Sequence, residues 1–260
     1  MYPVMNKNYQ TSINLIVKKH LAYLSSTPRY ERYMVDESLN EWVRLLGPDV
    51  SLLTHADATA VITKKFVTYN EKHGLKLNRI EKDRMLLAPW IHDWGEIIID
   101  GKGIGDITYD KKTAADVVIE TAIFNKVISA IPIEKVKEEF HITYQDVVLK
   151  KNQKLGDMFN TIERIGYMET AITAFVGRNG NKITNWKGLS GSVLSNHSEK
   201  LIHLSEICPY VSYFLKQNRQ TMHKMFEVIT RLSQSPVDNT NTLSFDVAKL
   251  RNAYASWLKK

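Results

Sequence analysis

The chain has a single cysteine, Cys208. No disulfide can form within it, and this usage suits a reducing compartment. Glycine and proline are also few, 12 and 7 in 260 residues, and no Pro/Gly/Ser-rich stretch marks a linker, so one domain over residues 1–260 is expected. No apolar run approaches the roughly 18 residues that a membrane helix requires. Met1-Tyr2-Pro3-Val4 lacks the charged-then-apolar order of a secretory leader. A soluble cytoplasmic protein with no membrane partner is therefore the expectation. Alternating apolar and polar runs of the strand type are missing, as are internal repeats and the lysine-hydroxyl ending of a nucleotide P-loop.

Helical periodicity is what the chain has instead. Ile13, Leu15, Ile16, Leu21 and Leu24 recur at helical spacing. Tyr30–Leu46 reads as an amphipathic helix stopped at Gly47-Pro48, and Asp49 or Ser51 as the cap of a helix running to Lys72. A helix over Ile80–Ile98 contains Pro89, which predicts a kink or boundary there. Asp100–Asp106, with three glycines, is a loop. Further helices are expected over Lys112–Ser129, Ile133–Val148, Lys151–Val176, Val193–Ile207, Tyr210–Leu232 and Asp246–Lys259. Turns are expected at Arg178–Asn181 and around Pro236–Asn239, and a loop-like stretch at Leu189–Ser192. The class is all-α.

Charge is biased: 35 Lys+Arg against 28 Asp+Glu, a net +7. Such an excess suits phosphate-bearing ligands. The basic residues are scattered and no nucleic-acid-binding motif is present, so polymeric nucleic acid is not the expected partner.

The chemistry concentrates at Trp90-Ile91-His92-Asp93-Trp94-Gly95-Glu96-Ile97. A His-Asp pair within an apolar run is costly to bury without partners, and a metal ion would satisfy both. If this stretch is helical, His92, Asp93 and Glu96 share a face at spacings of three and four. His55 on an earlier helix and Asp157 on a later one complete two imidazoles and two carboxylates. That mixed donor set suits one divalent ion, Mn²⁺, Co²⁺, Fe²⁺, Ni²⁺, Zn²⁺ or Mg²⁺, with positions left for water and substrate. Glu96 is then placed to orient or deprotonate the water. Taken singly, His55 and Asp157 read as satisfied polar groups of a bundle. His141 would be needed for a second ion, and one metal is the simpler reading.

His55, then His92-Asp93, then Asp157, each in its own helical segment, resembles the HD-domain metal-dependent phosphohydrolase superfamily. His92-Asp93-Trp94-Gly95-Glu96-Ile97 followed by Gly105-Asp106-Ile107 is most similar to the branch that contains the bacterial 5'-deoxynucleotidases, and Lys154-Leu155-Gly156-Asp157 resembles the segment that ends the family pattern. The resemblance spans about Leu52–Ala174. It implies His55, His92, Asp93 and Asp157 as metal ligands, Glu96 as the catalytic carboxylate and Asp106 as a substrate-binding residue. It also implies an HD-type core over about 50–178, with N-terminal helices over 1–49 and a C-terminal helical extension over 179–260. Two features depart from that branch. His55 stands between Thr54 and Ala56 rather than between Glu and Ser, and the upstream Arg-Trp pair is missing, with Arg29-Tyr30 lying well upstream of His55.

The expected function is a metal-dependent phosphohydrolase acting on a small phosphate ester, a nucleotide and by preference a nucleoside monophosphate. A homo-oligomer is compatible with this reading. The alternatives are a di-iron HD-type oxygenase or lyase, which the thin supply of histidines disfavours, and a non-enzymatic helical interaction module stabilised by its metal.

Overall fold

A computed structural model describes residues 5–30, 34, 38–47, 50–99, 101–103, 105, 112–179, 182–234 and 245–260. Among these the protein is all-α, with eleven α-helices and no strand. Residue contacts group the chain into two compact units: residues 1–31 with 48–162, and residues 32–47 with 163–260. The contacts divide the chain at 162/163 and group residues 32–47 with the second unit.

The first unit holds α1 (Lys7–Ser26), α3 (Leu52–Lys72), α4 (Arg79–Ile91), α5 (Ala114–Ile128) and α6 (Glu134–Thr143). Its core is apolar side chains at helical spacing, among them Ile13, Ile16, Leu87, Ile91, Phe124, Val127 and Phe140. Each such side chain contributes roughly 1.5–3 kcal/mol by leaving water. The caps are local. Ser51, one of the two candidates, caps α3 in a capping box with Thr54, and Asn78 caps α4 with Glu81. The π-helical segment Tyr144–Val148 follows α6, and Arg84 of α4 pins it by donating to Asp146 Oδ2 at 2.7 Å.

Helix α7 (Gln153–Gly177) contributes residues to both units. The second unit also contains α2 (Leu39–Leu46), α8 (Trp186–Leu204), α9 (Pro209–Gln217), α10 (Arg219–Leu232) and α11 (Val247–Leu258). In α10, Met222, Met225, Phe226 and Ile229 form the buried stripe. Phe226 stacks on Tyr254 of α11, with centroids 5.2 Å apart.

Three expectations need correction here. Leu189–Ser192 is not a loop but lies inside α8, fully helical and buried. Small residues are there because neighbours come close: a Cβ on Gly191 would collide with the Phe245 ring, and Ser190 Oγ donates to the Ala171 carbonyl at 3.4 Å. Tyr210–Leu232 is two helices, because Asn218 leaves helical geometry (φ −100°, ψ 7°) and its side-chain amide donates to the Phe214 carbonyl at 3.0 Å. Of the helix expected over Tyr30–Leu46, Leu39–Leu46 forms α2 behind the Ser38 cap, and the described Tyr30 and Met34 are not helical. The expected turn at Pro236–Asn239 lies outside the described residues. No described helix is long and apolar enough to cross a membrane.

In the second unit Arg164 Nη1 donates to His197 Nδ1 at 3.1 Å, and Tyr167 stacks on the same imidazole. Arginine only donates, so His197 is held neutral. Burial, with Arg164 adding, pushes its pKa down to about 3.

Two outcomes are expected. Gly191→Ala lowers the stability of the fold by about 1–3 kcal/mol, read as a reduced urea midpoint. The unfolded chain protonates His197 near pH 6.5, whereas the folded chain resists until about 3. Stability is therefore lost as pH falls through that window, and His197→Gln flattens the melting-temperature profile there.

Candidate metal centre

The site forms where α4 ends. Proline has no N–H to donate, and α4 runs only two residues past Pro89, to Ile91. His92 is its C-cap, and the chain continues in tight turns, with Trp94 N–H donating to the Ile91 carbonyl (3.2 Å) and Glu96 N–H to the Asp93 carbonyl (3.0 Å). The expectation that one helix carries His92, Asp93 and Glu96 on a common face is therefore corrected: the helix stops at the pair, and Glu96 is placed by a turn.

His92 Nδ1 donates to the Pro89 carbonyl at 2.9 Å. A carbonyl only accepts, so Nδ1 carries a proton and Nε2 is the ring atom turned towards His55 and Asp93. That Nε2 lies 3.1 Å from His55 Nε2 and 3.2 Å from Asp93 Oδ1, and His55 Nε2 lies 3.7 Å from Asp93 Oδ2. His55 sits on the first turn of α3, with Thr59 Oγ1 3.3 Å from its Nδ1. Phe159 of α7 closes edge-on over His92. Burial, with Arg29 and His92 adding, holds His55 well below the usual histidine range, so its ring is neutral.

Two imidazoles facing through Nε2 at this separation need one proton or one cation between them. Ligands about 2.1 Å from an ion stand roughly 3.0 Å apart when octahedral neighbours and 3.4 Å apart when tetrahedral. The 3.1 and 3.2 Å separations from His92 Nε2 are of that size, and the 3.7 Å between His55 and Asp93 is somewhat longer. His55, His92 and Asp93 are also the group of metal-ligating side chains that the described residues bring together. Both histidines are buried, while the Asp93 side chain is 18% exposed, which leaves the open edge of the cluster on the carboxylate side.

The other expected residues stand as follows. Asp157 lies on an exposed part of α7, accepts a bond from Gln153 Nε2 at 2.7 Å and is not among the clustered ligand atoms. Lys154 pairs with Glu81 at 2.8 Å. Asp106 lies outside the described residues. His141 is bonded to Asn125, and Trp94 is core, packed against Phe140.

Glu96 is held by Lys112, whose Nζ is 3.1 Å from Glu96 Oε1 and 2.5 Å from Glu120 Oε1. Burial works against the Lys112 charge, but Glu96 and then Glu120 more than offset it and keep the ammonium charged. Burial pushes the Glu120 carboxyl up against the pull of Lys112, and Asp93 adds to the rise. Tyr144 is raised by burial and then by Glu120, with Glu96 and Asp93 contributing, so these groups surround one buried region.

Sequence reasoning missed Glu120, which reads as one more charge on an ordinary helix. Arg29, well upstream of His55 in the chain, is brought near the start of α3. Residues 32–47 belong to the second unit, and the chain on either side of them is stitched together: Pro28 bridges Ser51, and Arg29 N–H donates to the Val50 carbonyl at 3.1 Å. Arg29 thereby reaches the start of α3, where its charge is felt by His55.

Comparison of the chain with family models, with curated proteins and with solved structures finds no match.

Gly95 is where the turn meets α5. A Cβ there would stand 2.7 Å from the Glu120 carbonyl oxygen. Gly95→Ala is expected to cost about 1–3 kcal/mol and lower the urea midpoint. An unchanged midpoint would contradict the close approach.

Proposed function

We propose that the protein is a metal-dependent phosphohydrolase acting on a small phosphate ester, with a nucleoside monophosphate as the favoured substrate. The observation that carries this reading is the pair of imidazole Nε2 atoms 3.1 Å apart, one with its Nδ1 proton held by the Pro89 carbonyl, beside the Asp93 carboxylate. That donor set fits one divalent ion held by His55, His92 and Asp93. On this reading Asp157 is the fourth ligand and gives up its bond to Gln153, and Asp106 contributes to substrate binding. A divalent ion held there supplies Lewis acidity towards a phosphoryl oxygen and acidifies water.

The chain's own residues account for the rest. Lys112 holds Glu96 in an ion pair, and Glu96 accepts a proton from the attacking water. Arg29, at the start of α3, offsets the charge of the phosphate. Formally, Asp93, Asp157, Glu96 and Glu120 against Lys112 and Arg29 leave two negative charges, the charge that one divalent ion neutralises.

The exposed position of Asp157 favours one rival, a helical module that keeps three ligands for stability without turnover. Purified protein supplied with Mn²⁺ or Co²⁺ and offered a panel of nucleotides separates the two. The hydrolase releases inorganic phosphate, and Glu96→Ala lowers kcat by about 10²–10³-fold. A wild type no more active than Asp93→Ala on every phosphorylated substrate overturns the hydrolase. Metal removal that lowers the melting temperature, with no catalysis to lose, then supports the module.

A further inference from the structure

We propose that Lys112 and Glu120 form a buried clamp that positions the Glu96 carboxylate, and that both act as positioning residues for the reaction. The clamp's catalytic role rests on the hydrolase reading given above; its geometry does not.

The three groups come from two segments. Glu96 ends the turn that follows His92-Asp93. Lys112 immediately precedes Thr113, the N-cap of α5, and Glu120 lies two turns further along that helix. Lys112 Nζ is within ion-pair distance of both carboxylates, and the side chains of Glu96, Lys112 and Glu120 are 12%, 20% and 5% exposed. The segments are locked together at Gly95, whose Cα faces the Glu120 backbone with no room for a Cβ.

Stability alone is a weak explanation for this arrangement. Removing ions from water costs several kcal/mol each, and apolar side chains of similar volume often stabilise as well or better. What an ion trio supplies, and an apolar patch cannot, is a fixed place and a fixed charge for a carboxylate. A lysine held by one acid alone can swing, because its ammonium is a point charge on a flexible stem. Glu120 removes that freedom by holding the same Nζ. Lys112 in turn confines Glu96 to one orientation. Glu120 thus acts on Glu96 through Lys112, and neither residue touches the reacting atoms.

The test uses the full chain and three variants. With Mn²⁺ and a nucleoside monophosphate, Lys112→Met lowers kcat by about tenfold or more and leaves KM within about twofold. Mn²⁺ affinity, titrated without nucleotide, is unchanged. Lys112→Arg recovers most of kcat, and Glu120→Gln gives a smaller loss than Lys112→Met. In a Glu96→Gln background, Lys112→Met costs little more, because the group it positions is already gone.

A readout independent of turnover is the crystal structure of metal-free Lys112→Met, in which Glu96 leaves its wild-type position. Should Lys112→Met not fold, Lys112→Gln carries the same comparisons. The clamp is overturned if Glu96 stays in place in the variant, if Mn²⁺ affinity falls together with kcat, or if the loss is undiminished in the Glu96→Gln background. A wild type that hydrolyses no nucleotide while Glu96 still moves in the variant overturns the hydrolase reading and leaves the clamp geometry standing.

Discussion

The bond from His92 Nδ1 to the Pro89 carbonyl is the constraint on which the site depends. It places a proton on Nδ1 of one imidazole, and so turns Nε2 towards His55 and Asp93. It also ties the ring to the last turn of α4, so that the end of the helix and the direction of the ligand are set by the same contact. Proline matters twice here. It has no N–H to add to the helix ladder, and its own carbonyl takes up the histidine. A second-layer bond of this kind is what orients metal-ligating histidines in general.

From that point the first unit can be followed outward. His55 reaches the cluster because Ser51 starts α3 at the right residue, and the Pro28–Ser51 bridge closes the chain behind it. Glu96 lies beyond the helix and takes its position from Lys112. Gly95 allows α5 to approach, and Arg84 pins the π-helical segment that carries Tyr144 beneath the acidic groups. The polar interior is therefore layered: His55, His92 and Asp93, then Glu96 with its lysine, then Glu120 and Tyr144.

Much of the fold was legible in the sequence, because helical periodicity is local and its stop signals are short range. The all-α class and most helices follow from it. Its failures have physical causes. Leu189–Ser192 looks like a loop because small polar residues usually favour turns, but here they serve close packing against Phe245. The break at Asn218 interrupts a stripe that is otherwise continuous. Of the candidate site, His55, His92 and Asp93 were legible as residue types in order, and the structure clusters them. Their geometry was not. The helical spacing of His92 and Glu96 suggested a shared face that the chain abandons at Ile91. Arg29 and Glu120 depend on long-range chain reversals that leave no local trace, and Asp157 is placed outside the cluster.

The central claim is that the imidazoles of His55 and His92 face one cation. Pulsed electron paramagnetic resonance of the protein with one equivalent of Mn²⁺ addresses it without reference to any substrate. The account predicts one bound ion per chain with modulation from two directly coordinated histidine nitrogens, reduced to one in His55→Ala. Mn²⁺ that remains fully hydrated, or that binds with no nitrogen coupling, would contradict it.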